Sequence, residues 1–154
     1  CMDRSERVEL TVLCLVRDGD RILVEDRQRG GSWNGYVMPG GHVEAGESFT
    51  EAAIRECYEE TGITMIEPKL CGVKQFPRGG DGLRYIVFFF VTDRFTGVCR
   101  DSEEGAVAWM DRETLRRSKC VPDFFEMLDV MEGAWSEFQY VQDTPDGEYR
   151  LRKL

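Results

Sequence analysis

Between Gly40 and Thr64 the chain carries six glutamates (Glu44, Glu47, Glu51, Glu56, Glu59, Glu60) against one arginine, Arg55, and no lysine. A helix read over Phe49–Thr61 turns about 100° per residue, which gathers Glu56, Glu59 and Glu60 into a sector of about 100°. Ile54, Cys57 and Tyr58 fall on the other side and are expected to anchor the helix, while Ala52 leaves space beside the acids. Two carboxylates about 5 Å apart repel by roughly 3 kcal/mol at an effective dielectric of about 20. A helix needing only solubility intersperses lysines four residues from its acids. This cluster instead asks for a cation, and oxygen ligands without histidine favour Mg²⁺ or Mn²⁺.

A solvated glutamate face is the plainer alternative, and the preceding loop tips the balance. Gly40-Gly41-His42-Val43-Glu44-Ala45-Gly46-Glu47-Ser48 spaces Gly41 and Gly46 as a P-loop does, but Glu47 stands where a P-loop needs lysine. The charge facing a phosphate is inverted. A direct phosphate cradle is rejected, and a cation-bridged phosphate site remains.

Composition narrows the field further. The formal charge of −9 opposes binding of a nucleic-acid polymer. His42 is the sole histidine, which excludes two-histidine zinc sites. Six scattered cysteines (Cys1, Cys14, Cys57, Cys71, Cys99, Cys120) lack metal-ligand spacing and read as reduced, structural thiols. No apolar run reaches membrane-span length, and the first residues lack a secretory pattern. The expectation is one cytoplasmic domain over residues 1–154, with no membrane partner and its oligomeric state open.

The elements around the loop are mostly strands. Val8–Val16 and Arg21–Glu25 flank Asp18-Gly19, a hairpin signal. Leu70–Phe76, Ala106–Met110, Glu137–Val141 and Tyr149–Leu154 read as strands, and Leu83–Thr92 as a strand buried on both faces. Ser48 and Glu51 form a capping-box pattern before the glutamate helix, and Gly62 a stop after it. A second helix is expected over Pro122–Met131 and a helical turn over Arg112–Arg117. Strands without steady β-α-β alternation suggest an α+β or α/β/α sandwich.

Gly41, Glu47, Arg55-Glu56, Glu59-Glu60 and Gly62-Ile63 stand at every fixed position of a 23-residue motif, Gly41 to Ile63. This spacing resembles the signature of the Nudix hydrolases. The one departure is Cys57, where that family usually has a larger aliphatic residue; it bears on packing. The resemblance implies an α/β/α sandwich with a mixed sheet and Mg²⁺-dependent attack of water on a nucleoside diphosphate derivative. It implies that Glu56, Glu59 and Glu60 hold metal with the Gly40 carbonyl. Arg55 would orient Glu56, and Glu47 would brace the loop. Glu56 and Glu59 are then base candidates, and Glu104 of Glu103-Glu104 stands where relatives often carry a further metal ligand or base.

The order of strands and the Trp33-Asn34-Gly35 approach to the motif look like the branch hydrolysing oxidised purine nucleotides such as 8-oxo-dGTP. The substrate is then a small nucleotide held near Gly41. Asn34 either reads a purine edge or serves the turn, and Asp123 either bonds a base or serves its helix N-terminus. Trp33 and Phe76 either stack on a base or belong to the core. Pro77 lies one residue closer to the motif than the proline of ADP-ribose-cleaving relatives, and an ADP-ribose or ADP-sugar pyrophosphatase is the alternative. A non-catalytic nucleotide-binding module would show degenerate motif acids, and none is degenerate. An isoprenyl diphosphate isomerase on the same fold would need a Cys and His/Glu arrangement that is absent from the sequence.

Overall fold

The computed structural model describes residues 2–154, so Cys1 lies outside the described residues. Two strands run parallel through the centre, β1 (Val8–Asp18) beside β7 (Leu83–Thr92). Around them lie β2 (Arg21–Arg27), β3 (Gly35–Val37), β6 (Lys69–Arg78), β10 (Glu137–Gln142) and β11 (Tyr149–Lys153). Their order in the mixed sheet is β11-β10-β6-β7-β1-β2-β3. β9 (Gly105–Asp111) pairs with β2, and β4 (Gly40–His42) with β1. A small second sheet joins β5 (Thr64–Met65) to β8 (Phe95–Thr96).

β1 explains how the sheet opens toward the glutamate helix. Its middle, Thr11–Leu13, pairs with β4, whereas β2 is held only at Arg17–Asp18. The chain between β1 and β2 is a two-residue turn whose Gly19 adopts φ +61°, a conformation that suits glycine. Between β2 and β4 lies the Glu60 carboxylate, which accepts from the Gly40 amide of β4 at 3.2 Å and stands 4.0 Å from Arg27 of β2.

Alternation along β1 feeds two cores, one on each face of the sheet. Val12, Cys14 and Val16 pack with Leu23, Ala52, Ala53, Cys57 and Ile63 beneath α1 (Phe49–Thr61). Leu15 packs with Phe89, Phe124, Met127 and Phe138 beneath α3 (Phe124–Met131), joined by Leu115 of α2 (Arg112–Arg116). This is the expected α/β/α sandwich. Among the described residues no helix is long and apolar enough to cross a membrane.

Several expectations need correction. Tyr58 does not anchor α1: it is exposed, with the Arg100 guanidinium 5.2 Å from its ring. Ala52 is not an open space but a fully buried contact, because α1 approaches the sheet closely enough for methyl groups to make the interface. β7 is not buried on both faces throughout, since Arg84 is exposed and Tyr85, Ile86 and Phe88 are half-buried. The second helix starts at Phe124, after Asp123 with φ 58°.

Candidate active site

Local signals set the bounds of α1. Ser48 Oγ accepts from the Glu51 amide at 3.0 Å, and Gly62, at φ +80°, donates its N–H to the Tyr58 carbonyl at 2.9 Å. The helix starts beside β4 and hangs its acids over the edge of that strand.

Arg55 organises the outer acids. Its Nε and Nη2 donate to the two oxygens of Glu47 at 2.7 and 2.9 Å, a bidentate pair. Nη2 also reaches the His42 carbonyl at 2.9 Å, tying helix, loop and β4 together. Nη1 donates to Glu56 at 2.9 Å and to Glu59 at 3.2 Å. The Arg55 hydrogen bonds hold the Glu47 carboxyl down at about 2, well below the usual glutamate value. Because the folded-state value is depressed, the stabilisation is full above about pH 4.5 and drains as pH falls toward 2. Thermal melts from pH 6 to pH 2 should therefore show a steeper decline for the wild type than for Glu47→Gln. Parallel declines would mean that the pair does not clamp the loop.

The inner acids sit in a different environment. Glu56 is half-buried, and burial raises its pKa against the opposing pull of Arg55. Its carboxylate lies against the loop: a Cβ built on Gly41 would stand 2.3 Å from Glu56 Cδ. Glu60 is buried and accepts from the Gly40 amide at 3.2 Å. Burial and the neighbouring Glu25 raise its pKa. Glu25, fully buried on β2, accepts from Arg27 at 2.7 Å through one oxygen, and its Oε2 has no hydrogen-bond partner among the described residues. Glu104, half-buried before β9, pairs with the Arg29 guanidinium.

Glu56, Glu60, Glu104, Gly40, Gly41, Arg27 and Arg29 line one end of a cavity of about 540 Å³. Trp33, Lys74, Phe76, Tyr85 and Met127 line the other end, and β1 and β4 residues, His42 among them, complete the wall. Its size suits a nucleotide-scale ligand. Among the described residues no three metal-binding side chains already form a closed cluster, since Glu59 is exposed and turned to Arg55. The donor chemistry nevertheless fits a hard divalent cation: the Glu56, Glu60 and Glu104 carboxylates and the Gly40-Gly41 backbone meet at one end of the cavity, and oxygen donors outnumber the one imidazole there, that of His42.

The remaining candidates divide. Trp33 and Phe76 line the cavity. Asn34 does not face it: its Oδ1 accepts from the Arg29 and Gly30 amides at 2.8 and 2.9 Å, and its Nδ2 donates to the Gly31 carbonyl. Its amide is engaged in closing the loop, as a turn residue's would be. Asp123 makes no capping bond and is absent from the cavity wall; it accepts from the Tyr140 hydroxyl. Pro77 also lies outside, its carbonyl accepting from Tyr149 at 2.7 Å. Sequence reading missed Glu25, Arg27 and Lys74, all strand residues that alternation alone assigns to solvent.

A family profile described as the NUDIX domain matches residues 7–130. The chain is 38% identical over 122 residues to the uncharacterized Nudix hydrolase YvcI of Bacillus subtilis, covering 77% of this chain and 75% of that one. It is 32% identical over 117 residues to an oxidized purine nucleoside triphosphate hydrolase of Danio rerio, covering 74% and 72%. A crystal structure of a MutT protein from Bacillus halodurans superposes with a TM-score of 0.72 at 31% identity, over 93% of this chain and 97% of that one.

Proposed function

The chain belongs to the Nudix hydrolase family, and from that premise we propose that it splits purine nucleoside triphosphates into monophosphate and pyrophosphate, with oxidised purines such as 8-oxo-dGTP as the preferred class. We read residues 1–154 as a single domain, since β10 and β11, beyond the matched region, complete the same sheet. The observation that carries the proposal is the division of the cavity. Acids and the Gly40-Gly41 backbone form one end, and Trp33, Phe76 and Met127 form the other. Such a site places a polyphosphate among cation-binding carboxylates and a flat base among aromatic and apolar walls. The similarity to a relative that acts on oxidised purine triphosphates agrees with this class.

Glu56, Glu59 and Glu60, with the Gly40 carbonyl, would hold Mg²⁺ or Mn²⁺. When bound, the cations supply charge neutralisation on phosphate oxygens and a water of lowered pKa. Arg55 positions Glu56 and Glu59, and Glu47 positions Arg55. Glu104 stands at the same end of the cavity, available as a further ligand or as the base that takes a proton from water. Its pairing with Arg29 fixes it beside the phosphate end.

The test is a panel of 8-oxo-dGTP, dGTP, dATP, ADP-ribose and ADP-glucose with Mg²⁺, resolving the phosphates released. Pyrophosphate from triphosphates is expected; turnover of ADP-ribose alone would replace this reading with the ADP-sugar one. Activity should vanish in EDTA and return with Mg²⁺ or Mn²⁺. Full turnover in chelator would remove the carboxylates from the chemistry.

A further inference from the structure

Lys74 lies in the middle of β6, 4% exposed, and its side chain enters the inner end of the cavity. The only hydrogen-bond partner of its Nζ among the described residues is the sulfur of Met127, at 3.5 Å. Aromatic rings surround the rest: the centroids of Trp33, Phe138, Tyr140 and Phe76 lie 4.6, 5.0, 5.2 and 5.6 Å from Nζ. An ammonium has three donors and no acceptor. Buried without an anion it is costly, and the ring faces recover only part of that cost. Burial pushes its pKa down to about 8, with Asp123 the opposing influence, and Asp123 is already bonded to Tyr140. The fold thus keeps a buried cation whose donors are unmet until something occupies the cavity.

Its place in the sheet says what reaches it. Lys74 pairs with Val87 on β7, Val87 with Thr11 on β1, and Thr11 to Leu13 with His42 to Gly40 on β4. Three strand spacings, about 14 Å, separate Lys74 from the carboxylate end. A nucleotide with its phosphates among the glutamates would present its base to Nζ. The walls here are ring faces, suited to a planar group. Arg27 and Arg29, the other cavity cations, are engaged with Glu25 and Glu104 at the phosphate end.

We propose that Lys74 is the base-reading residue of the cavity and selects purines carrying an oxo group at position 6, guanine and hypoxanthine, over adenine. This rests on the nucleotide-hydrolase reading above. A 6-oxopurine offers acceptors at O6 and N7, which an ammonium fills, whereas adenine turns an amino donor toward it. An 8-oxoguanine keeps O6 as acceptor but carries a hydrogen on N7, so the oxidised base is read through O6 alone.

Calorimetric titration with dGMP, dIMP and dAMP in metal-free buffer tests this without turnover. Wild-type protein should bind dGMP and dIMP about 10- to 100-fold more tightly than dAMP, and Lys74→Met should bring the three within about threefold. Lys74→Gln, which retains a donor, should keep an intermediate bias. With Mg²⁺, the same substitutions should raise KM for dGTP and dITP toward that for dATP. Equal wild-type affinity for dAMP and dGMP overturns the proposal. So does a bias that survives Lys74→Met, or a loss of inorganic pyrophosphate affinity equal to the loss for dGMP, which would mark a plain anion site. Should Lys74→Met fail to fold, the wild-type ranking of dIMP against dAMP and the Gln variant decide. A binding bias without hydrolysis of any triphosphate would overturn the hydrolase reading and leave Lys74 as base reader; hydrolysis without 6-oxo bias overturns Lys74 alone.

Discussion

Glu56→Gln is expected to lower kcat by roughly two to four orders of magnitude, the range for removing a group that stabilises charge in the transition state. The substitution preserves shape and an acceptor for Arg55, which donates to Glu56 at 2.9 Å. What it removes is one negative charge from the inner carboxylates. That charge matters most when charge builds on the transferring phosphoryl group, so the loss falls on kcat more than on KM. Stability should hold or rise, because burial already disfavours the charged form of Glu56. Glu59→Gln should move kcat in the same direction, although among the described residues its exposed carboxylate bonds only to Arg55. The measurement is kcat and KM for both variants on the preferred triphosphate, beside melts in metal-free buffer. Near-wild-type kcat in a normally melting Glu56→Gln would mean that the acidic face is solvated helix surface and the chemistry lies elsewhere.

Local signals carry much of this architecture, and tertiary contacts carry the rest. The bounds of α1 are legible because Ser48 and Gly62 act within a turn of the helix ends. β4 is not, because Gly40-Gly41-His42 has no strand propensity and is extended only by pairing with β1. Tyr58 misleads for a related reason: the apolar stripe of the helix suggests a contact that the alanines make instead. The strand charges Glu25 and Lys74 are the sharpest case. Alternation assigns a polar strand residue to water when one face of a sheet is solvated. Here helices cover both faces, so either parity is buried and only the fold reveals which charges line a cavity. Asn34 was legible only as two alternatives, since a Trp-Asn-Gly segment is chemically able to read a base or to close a loop. The three hydrogen bonds of its side chain all lie within the loop.

The adjacent glycines of β4 should separate fold from catalysis. A Cβ on Gly40 would lie 2.2 Å from the Val12 carbonyl oxygen and 3.1 Å from Leu13 Cα. Backbone in the middle of a sheet cannot move aside, so Gly40→Ala must part β4 from β1. A loss of roughly 2 to 4 kcal/mol is expected, which for a chain of this length lowers Tm by about 5 to 15 °C. The three atoms nearest a Cβ on Gly41 all belong to one side chain: Glu56 Cδ, Oε2 and Oε1 at 2.3, 2.4 and 2.7 Å. A carboxylate at the end of a flexible side chain can swing away at little cost to folding, but then it leaves the cavity wall. Displacement of about 1 Å in a positioned group costs on the order of 100-fold in rate. Gly41→Ala should therefore melt close to the wild type and lose about 100-fold in kcat. Paired melts and kinetics on the two variants check this. If Gly41→Ala turns over like the wild type, the observed seat of the Glu56 carboxylate against the glycine is not the one catalysis uses.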